Sequence, residues 1–128
     1  MKYYMDTCIK TDFDSAVSLV KKSLEQYGFG VVSEIDIKDK LRENLGVEFR
    51  KYKIIGVCNP QFAYKALQYE DKIGVMLPCN IIVQEKENEI EIAAVDPSRS
   101  MSTIANYELG LIALELKQDL LKIIESLN

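Results

Sequence analysis

Apolar and polar positions alternate strictly at the start of the chain. From Lys2 to Ile9, Tyr3, Met5, Thr7 and Ile9 fall on one side and Lys2, Tyr4, Asp6 and Cys8 on the other, the period of a strand. The spacing then changes to three and four. Phe13, Val17, Val20, Leu24 and Tyr27 define the apolar face of a helix. Thr11 or Asp12 caps it, Asp12 and Asp14 sit near its positive end, and Gly28 stops it. Phe29 to Glu34 is β-branched and apolar and predicts a second strand. Asp36 then caps a short helix through Leu45, closed by Gly46. The charges on that helix, Lys38, Asp39, Lys40, Arg42 and Glu43, read as a solvated face.

Tyr52 to Val57 predicts a third strand. Asn59 caps the next helix and Pro60 suits its first position, with the helix running to about Glu70. Ile73 to Leu77 is apolar, interrupted by Gly74 and ended by Pro78. Asn80 to Glu85 and Glu89 to Val95 form a hairpin around the polar turn Lys86-Glu87-Asn88. Asp96-Pro97 breaks the sheet, and Ser98 to Ala105 predicts a short helix. Asn106 starts a last helix that ends near Leu127. Leu109, Ile112, Leu116, Leu120, Ile123 and Leu127 form its buried stripe, and Leu111, Leu114, Leu121 and Ile124 widen it. So broad a stripe predicts contact with more than one neighbour. No repeat, low-complexity tract or linker divides the chain. Residues 1–128 therefore read as one α+β domain of two layers. A mainly antiparallel sheet of about five strands carries two long helices on one face, in the order strand, helix, four strands, helix, with small helical inserts.

Composition narrows the function. The 128 residues are 48% hydrophobic and 28% charged, as in ordinary globular proteins. Sixteen basic and twenty acidic residues give a net charge of −4. That balance speaks against a nucleic-acid footprint and against an anionic membrane surface. No apolar run reaches the roughly 18 residues of a membrane span. The first residues lack the apolar core of a signal peptide, so a cytoplasmic location is expected. Histidine is absent. This removes the usual general base and the usual transition-metal ligand, so no metal and no cofactor is expected. The three cysteines, Cys8, Cys58 and Cys79, cannot all pair within one chain and read as thiols.

Two pieces of the middle third rhyme: Gly56-Val57-Cys58-Asn59-Pro60 and Leu77-Pro78-Cys79-Asn80. With Gly28-Phe29-Gly30-Val31, Glu34-Ile35-Asp36, Leu45-Gly46-Val47, Tyr52-Lys53-Ile54-Ile55-Gly56, Ala63, Ala66-Leu67 and Asp96-Pro97, they carry a resemblance to the domain of unknown function family 302. It covers nearly the whole chain. The resemblance implies a TATA-binding-protein-like α+β fold and a homodimer. It implies no activity, and a fold name implies no DNA binding.

If the third strand and the first hairpin strand lie side by side and antiparallel, Cys58 comes near Cys79. The returning strand then delivers Asp96 to the same end. Cys58, Asn59, Pro60, Cys79, Asn80 and Asp96 are thus the candidate ligand-binding residues. A thiol at a helix start, such as Cys58, is favoured as thiolate by the dipole and free amides, while a nearby Asp96 opposes that. Asn side chains orient small polar ligands. Each residue also has a plain structural role. Cysteines are commonly small buried hydrophobes, Asn59-Pro60 is an adequate helix start, Pro78 ends a segment, and Asp96-Pro97 makes an ordinary turn. Glu34 and Asp36 form a carboxylate pair for acid-base work, with capping as the simpler role for Asp36. Arg50, Lys51 and Lys53 form a small basic cluster that suits an anion or, more simply, a solvated strand edge.

No recognisable catalytic set assembles, which weighs against an enzyme. The expectation is a cytoplasmic homodimeric domain that binds a small molecule or a partner at the Cys58-Asn59/Cys79-Asn80 edge. The alternative is a thiol-dependent redox or sensor protein using Cys58, with Cys79 resolving.

Overall fold

Capping residues set the helices of the computed structural model, which describes residues 2–128. Asp12 accepts from the Ser15 backbone N–H at 2.8 Å and starts α1, Phe13–Gln26. Gly28, at φ 79°, takes the left-handed turn that ends it. Asp36 accepts from the Asp39 N–H and starts α2, Ile37–Leu45, which Gly46 closes at φ 67°. Asn59 caps α3, Pro60–Tyr69. Asp96 caps α4, Pro97–Ser100. Asn106 caps α5, Tyr107–Ser126, through the Leu109 N–H at 3.0 Å. A one-turn 3-10 helix spans Ile73–Met76.

Five strands, β1 (Tyr4–Ile9), β2 (Gly30–Asp36), β3 (Tyr52–Cys58), β4 (Cys79–Glu85) and β5 (Ile90–Val95), form one sheet in the order β1-β5-β4-β3-β2. Every neighbouring pair is antiparallel. Helix α1 joins one edge strand to the other across the sheet, and α5 packs beside it on the same face. The expected two-layer α+β architecture is present.

Alternation decides which face is covered. Ile55, Val57, Ile81, Val83, Ile92 and Ala94 are all 1% exposed or less and join Val20, Leu24, Leu120 and Ile123 of the two helices in one core. Burying each large side chain contributes roughly 1.5–3 kcal/mol. A smaller cluster, Ala66, Ile73, Met101, Leu109 and Ala113, fills the end beneath α3 and α4. Helix α5 does meet several neighbours, touching α1, α3, α4, β1 and β5. Leu111 and Leu114, expected to widen its buried stripe, instead point outward, 43% and 48% exposed.

Several boundaries differ from expectation: β1 begins at Tyr4 rather than Lys2 and β5 at Ile90 rather than Glu89. The helix expected over Ser98 to Ala105 is one turn, because Asp96 and Pro97 start it earlier and Met101 already closes it. Strand β2 begins after Phe29, which is a core residue, and runs on to Asp36. Cys58 and Cys79 are the last residue of β3 and the first of β4, rather than flanking residues.

Of the glycines, Gly56 has the most crowded surroundings. A Cβ there would lie 2.8 Å from Pro78 Cγ and would run into Ser33 Oγ. Ser33 can turn its hydroxyl away, but the Pro78 ring beside the strand cannot, so the clash with it persists. Gly56→Ala is expected to destabilise the fold by about 1–3 kcal/mol, as overpacking does. Urea unfolding of the variant measures this; an unchanged midpoint would mean that β2 and Pro78 shift freely.

Candidate functional site

The end of the sheet that carries Cys58 and Cys79 is built by register. Val57 pairs with Cys79 and Gly56 with Asn80. Ile81 pairs with Ala94, which brings the end of β5 alongside the start of β4. The Asp96 N–H donates to Tyr3 O at 2.8 Å and continues the β1–β5 ladder by one step. Cys58, Asn59, Pro60, Cys79, Asn80 and Asp96 therefore occupy one end of the fold.

They do not share one surface. Cys79 faces the helices, 5% exposed, whereas Asn80 is exposed. Successive strand residues point to opposite faces, so the Cys79-Asn80 pair is split by the sheet itself. Cys58 and Asn59 join Cys79 around a small cavity of about 20 Å³, walled by apolar groups such as Phe29, Phe62 and Leu77. That space holds about one water. Pro60 is exposed at the first position of α3.

The chemistry of each residue follows from its surroundings. All three cysteines are free thiols. Burial, and secondarily the neighbouring Cys58, pushes the Cys79 thiol up to about 11. Cys79 is thus a protonated, apolar wall at neutral pH. Asn59 spends its side-chain oxygen on the Gln61 N–H at 3.1 Å, and its amide nitrogen lies 3.6 Å from where a Gly28 Cβ would stand. Asp96 is 4% exposed. It accepts from the Ser98 N–H at 3.0 Å and the Ser98 hydroxyl at 2.6 Å, and it pairs with Lys117 of α5 at 3.1 Å. Burial alone would raise its carboxyl; the Ser98 bonds and the Lys117 charge outweigh that and hold it below the ordinary value. The candidate carboxylate ties α4 to α5.

The other sequence candidates resolve into structural partners. Glu34 bonds Lys21 and Lys53, each at 2.9 Å, while Asp36 caps α2. Arg50 donates to Gln84 Oε1 at 3.0 Å and lies over the Phe49 ring at 4.4 Å. Among the described residues, no group of three His, Cys, Asp or Glu side chains is placed to hold a metal, and no helix is long and apolar enough to cross a membrane.

A concavity of about 460 Å³ lies on the uncovered face of the sheet, between Tyr4 and Tyr52. Of the sequence candidates only Asn80 lines it. The rest of its lining comes from Tyr3 and from β1, β3, β4 and β5, far apart in sequence. The available signal was parity: Asn80, Ile82 and Gln84 alternate with the core residues of β4.

Comparison with known proteins gives the following. The family model described as "Domain of unknown function DUF302" matches residues 5–127. A crystal structure of an uncharacterized conserved DUF302 protein from Bacillus stearothermophilus is similar over 100% of each chain, with 25% sequence identity and a TM-score of 0.94. None of the curated proteins matches the chain.

Two outcomes follow from these environments. Asp96→Asn is expected to cost about 2–4 kcal/mol, because Lys117 loses its partner at a partly buried site. Since the folded carboxyl titrates below the unfolded one, its contribution is complete above about pH 4 and fades as pH falls through the folded value. Urea unfolding from pH 7 to 3 should show a shallower acid decline in the variant. Cys79 should react with thiol reagents at pH 8 at least about a hundredfold more slowly than a free cysteine, because so little of it is thiolate. Mass-resolved labelling of native protein measures this, and fast labelling at Cys79 would place it outside the core.

Proposed function

The chain belongs to the DUF302 family, a family described without an activity, and we propose that it works as a homodimeric binding domain whose copies pair through β2. The observation that carries this reading is the exposure of that edge. Strand β2 is seven residues long, and none of its residues is buried. Val31, Val32 and Ile35 are 41%, 60% and 40% exposed. A long apolar edge strand with free backbone groups recruits another strand unless something blunts it.

Little blunts this one. It holds no lysine and no proline. Of its two carboxylates, Asp36 caps α2, and Glu34 is held by Lys21 first and Lys53 second, which keeps its carboxyl below the ordinary value and its charge compensated. The irregularity between Val31 and Ser33 twists the strand locally and leaves the stretch from Ser33 to Asp36 in regular register. Helix α2 lies against the same strands, buries no residue, and leaves Leu45 and neighbouring Val47 69% and 44% exposed. A nine-residue helix with no buried face gains little from its own turns, so a covering surface supplies what is missing. The other edge, β1, contrasts with this: all six residues are partly buried, and Lys2 and Lys10 flank it.

Antiparallel self-pairing centred on Ser33 keeps like charges apart, because Glu34 and Asp36 of each strand then lie opposite the partner's residues on the far side of the irregularity. The binding role rests on the absence of an assembled reactive set: Cys79 is held as a thiol, Asn59 and Asp96 serve as caps, and the cavity that Cys79 and Asn59 border has room for about one water.

Sedimentation velocity tests the dimer. At about 50 µM, a concentration that populates an ordinary micromolar dimer, the wild type is expected to sediment as a dimer. Val32→Lys with Ile35→Lys is expected to give a monomer with an unchanged circular-dichroism spectrum. A wild-type monomer at that concentration, or a double variant that stays dimeric, would overturn pairing through β2.

A further inference from the structure

The uncovered face of the sheet is arranged in cross-strand rows. Tyr52 pairs with Gln84, Gln84 with Glu91, and Glu91 with Cys8. The next row runs Ile54, Ile82, Ala93, Asp6. Beyond it, Gly56 faces Asn80 and Val95 faces Tyr4. Ala93 is the small residue of the middle row. It leaves a depression between the larger side chains of Tyr4 and Tyr52, and no helix crosses it. The depression is the groove of about 460 Å³, floored by Ile82, Ala93 and Val95 and walled by Tyr3, Tyr4 and Tyr52.

Its lining carries one formal charge, that of Glu91. The lining holds the carboxylate of Glu91 and the carboxamides of Asn80 and Gln84, and no cationic side chain. Gln84 is 8% exposed and fixed at both ends. Its amide nitrogen donates to Glu91 Oε1 at 2.7 Å, and its oxygen accepts from Arg50 at 3.0 Å. This orients Glu91 at the groove; Arg50 stays outside the lining, its guanidinium 5.7 Å from the centre of the Tyr52 ring. Asp6 adds a second carboxylate on the same face.

The protein's own ammonium groups already reach toward these features. Lys2 Nζ lies 5.6 Å from the centre of the Tyr4 ring and 3.6 Å from Asp6. Lys86 Nζ lies 4.0 Å from Glu91 Oε1. Their side chains are 69% and 49% exposed, so both contacts are loose and replaceable. An aromatic face attracts a cation, and a partly desolvated carboxylate pairs with one more strongly than a solvated one does.

We propose that this groove is a binding site for small organic ammonium cations with a flat apolar body, the class of aryl-alkyl amines. The body lies on Ile82 and Ala93 between the tyrosine rings. The ammonium takes the place of Lys86 at Glu91. The site stands apart from β2 and does not depend on dimerisation.

The test is a titration of the full chain with 2-phenylethylamine, followed by amide chemical shifts and calorimetry. 3-Phenylpropionate and 2-phenylethanol serve as the anionic and neutral counterparts. The amine is expected to shift the amides of Ile82, Glu91 and Ala93, and the other two compounds are not. Glu91→Gln is expected to weaken the amine at least about tenfold, the loss of one charge-assisted contact. Ala93→Leu, which fills the groove and leaves the charges alone, is expected to abolish binding; both variants are compared at equal thermal stability. The proposal is overturned if the anion or the alcohol binds as well as the amine. It is overturned too if shifts fall outside the groove, or if none appears at about 10 mM amine, the weak limit for a ligand of this size. Groove shifts on simple dilution would assign the face to a second copy instead.

Discussion

Everything in this molecule depends on burying one face of one sheet. The inward residues of β3, β4 and β5 are almost fully withdrawn from water, and α1 and α5 supply the cover. Because side chains alternate, each inward apolar residue commits its neighbours to the other side. The burial that makes the fold also creates an uncovered face with its own composition. The few polar groups that enter the interior are matched. Ser23 meets Ser126 at 3.0 Å between α1 and α5, Gln84 bridges Arg50 and Glu91, and Asp96 meets Ser98 and Lys117. A buried polar group without a partner costs more than a made bond gains, so these pairings mark where the helices and strands must sit.

The same alternation explains why the rhyming Cys-Asn pieces are not one site. A sheet end gathers strand termini, and Cys58, Cys79 and Asp96 are gathered there. It cannot turn adjacent residues to the same side. Cys79 goes inward and becomes part of the core wall; Asn80 goes outward to the groove. Asp96 is drawn under α5 by Lys117. What remains at that end is a set of caps and packing residues around a one-water cavity. The thiol chemistry is suppressed at Cys79 by the burial that stabilises the domain.

The legible parts of the fold were those set by local chemistry. Asp12, Asp36, Asn59 and Asn106 cap where their side chains and following residues predict, and Gly28 and Gly46 end helices at positive φ. Capping involves three or four consecutive residues, so sequence carries it whole. The hairpin of β4 and β5 is legible for the same reason. What depends on register is not. Gln84, Glu91 and Arg50 meet only because β3 and β4 pair with Tyr52 opposite Gln84. No short stretch encodes that meeting. Leu111 and Leu114 fit a helical stripe by spacing, yet the sheet and α1 leave no surface for them to cover. The split of Cys79 from Asn80 was implicit in the alternation of β4 and needed only the direction of the core to be fixed.

The geometry also separates the two surfaces of interest. Antiparallel pairing of two β2 strands needs a two-fold axis perpendicular to the sheet, because any other axis would bring unlike faces or parallel strands together. Such an axis keeps both helical layers on one side and both uncovered faces on the other. The groove runs over β1, β5, β4 and β3 and takes no lining residue from β2. A second copy would lengthen the sheet in its own plane and leave Glu91, Ala93 and Tyr4 as accessible as in one chain. Edge pairing and groove binding are therefore compatible demands on one fold, made on different parts of the backbone. Edge pairing would use strand amides and β-branched side chains. The groove uses the parity that the core imposes on the strands behind it.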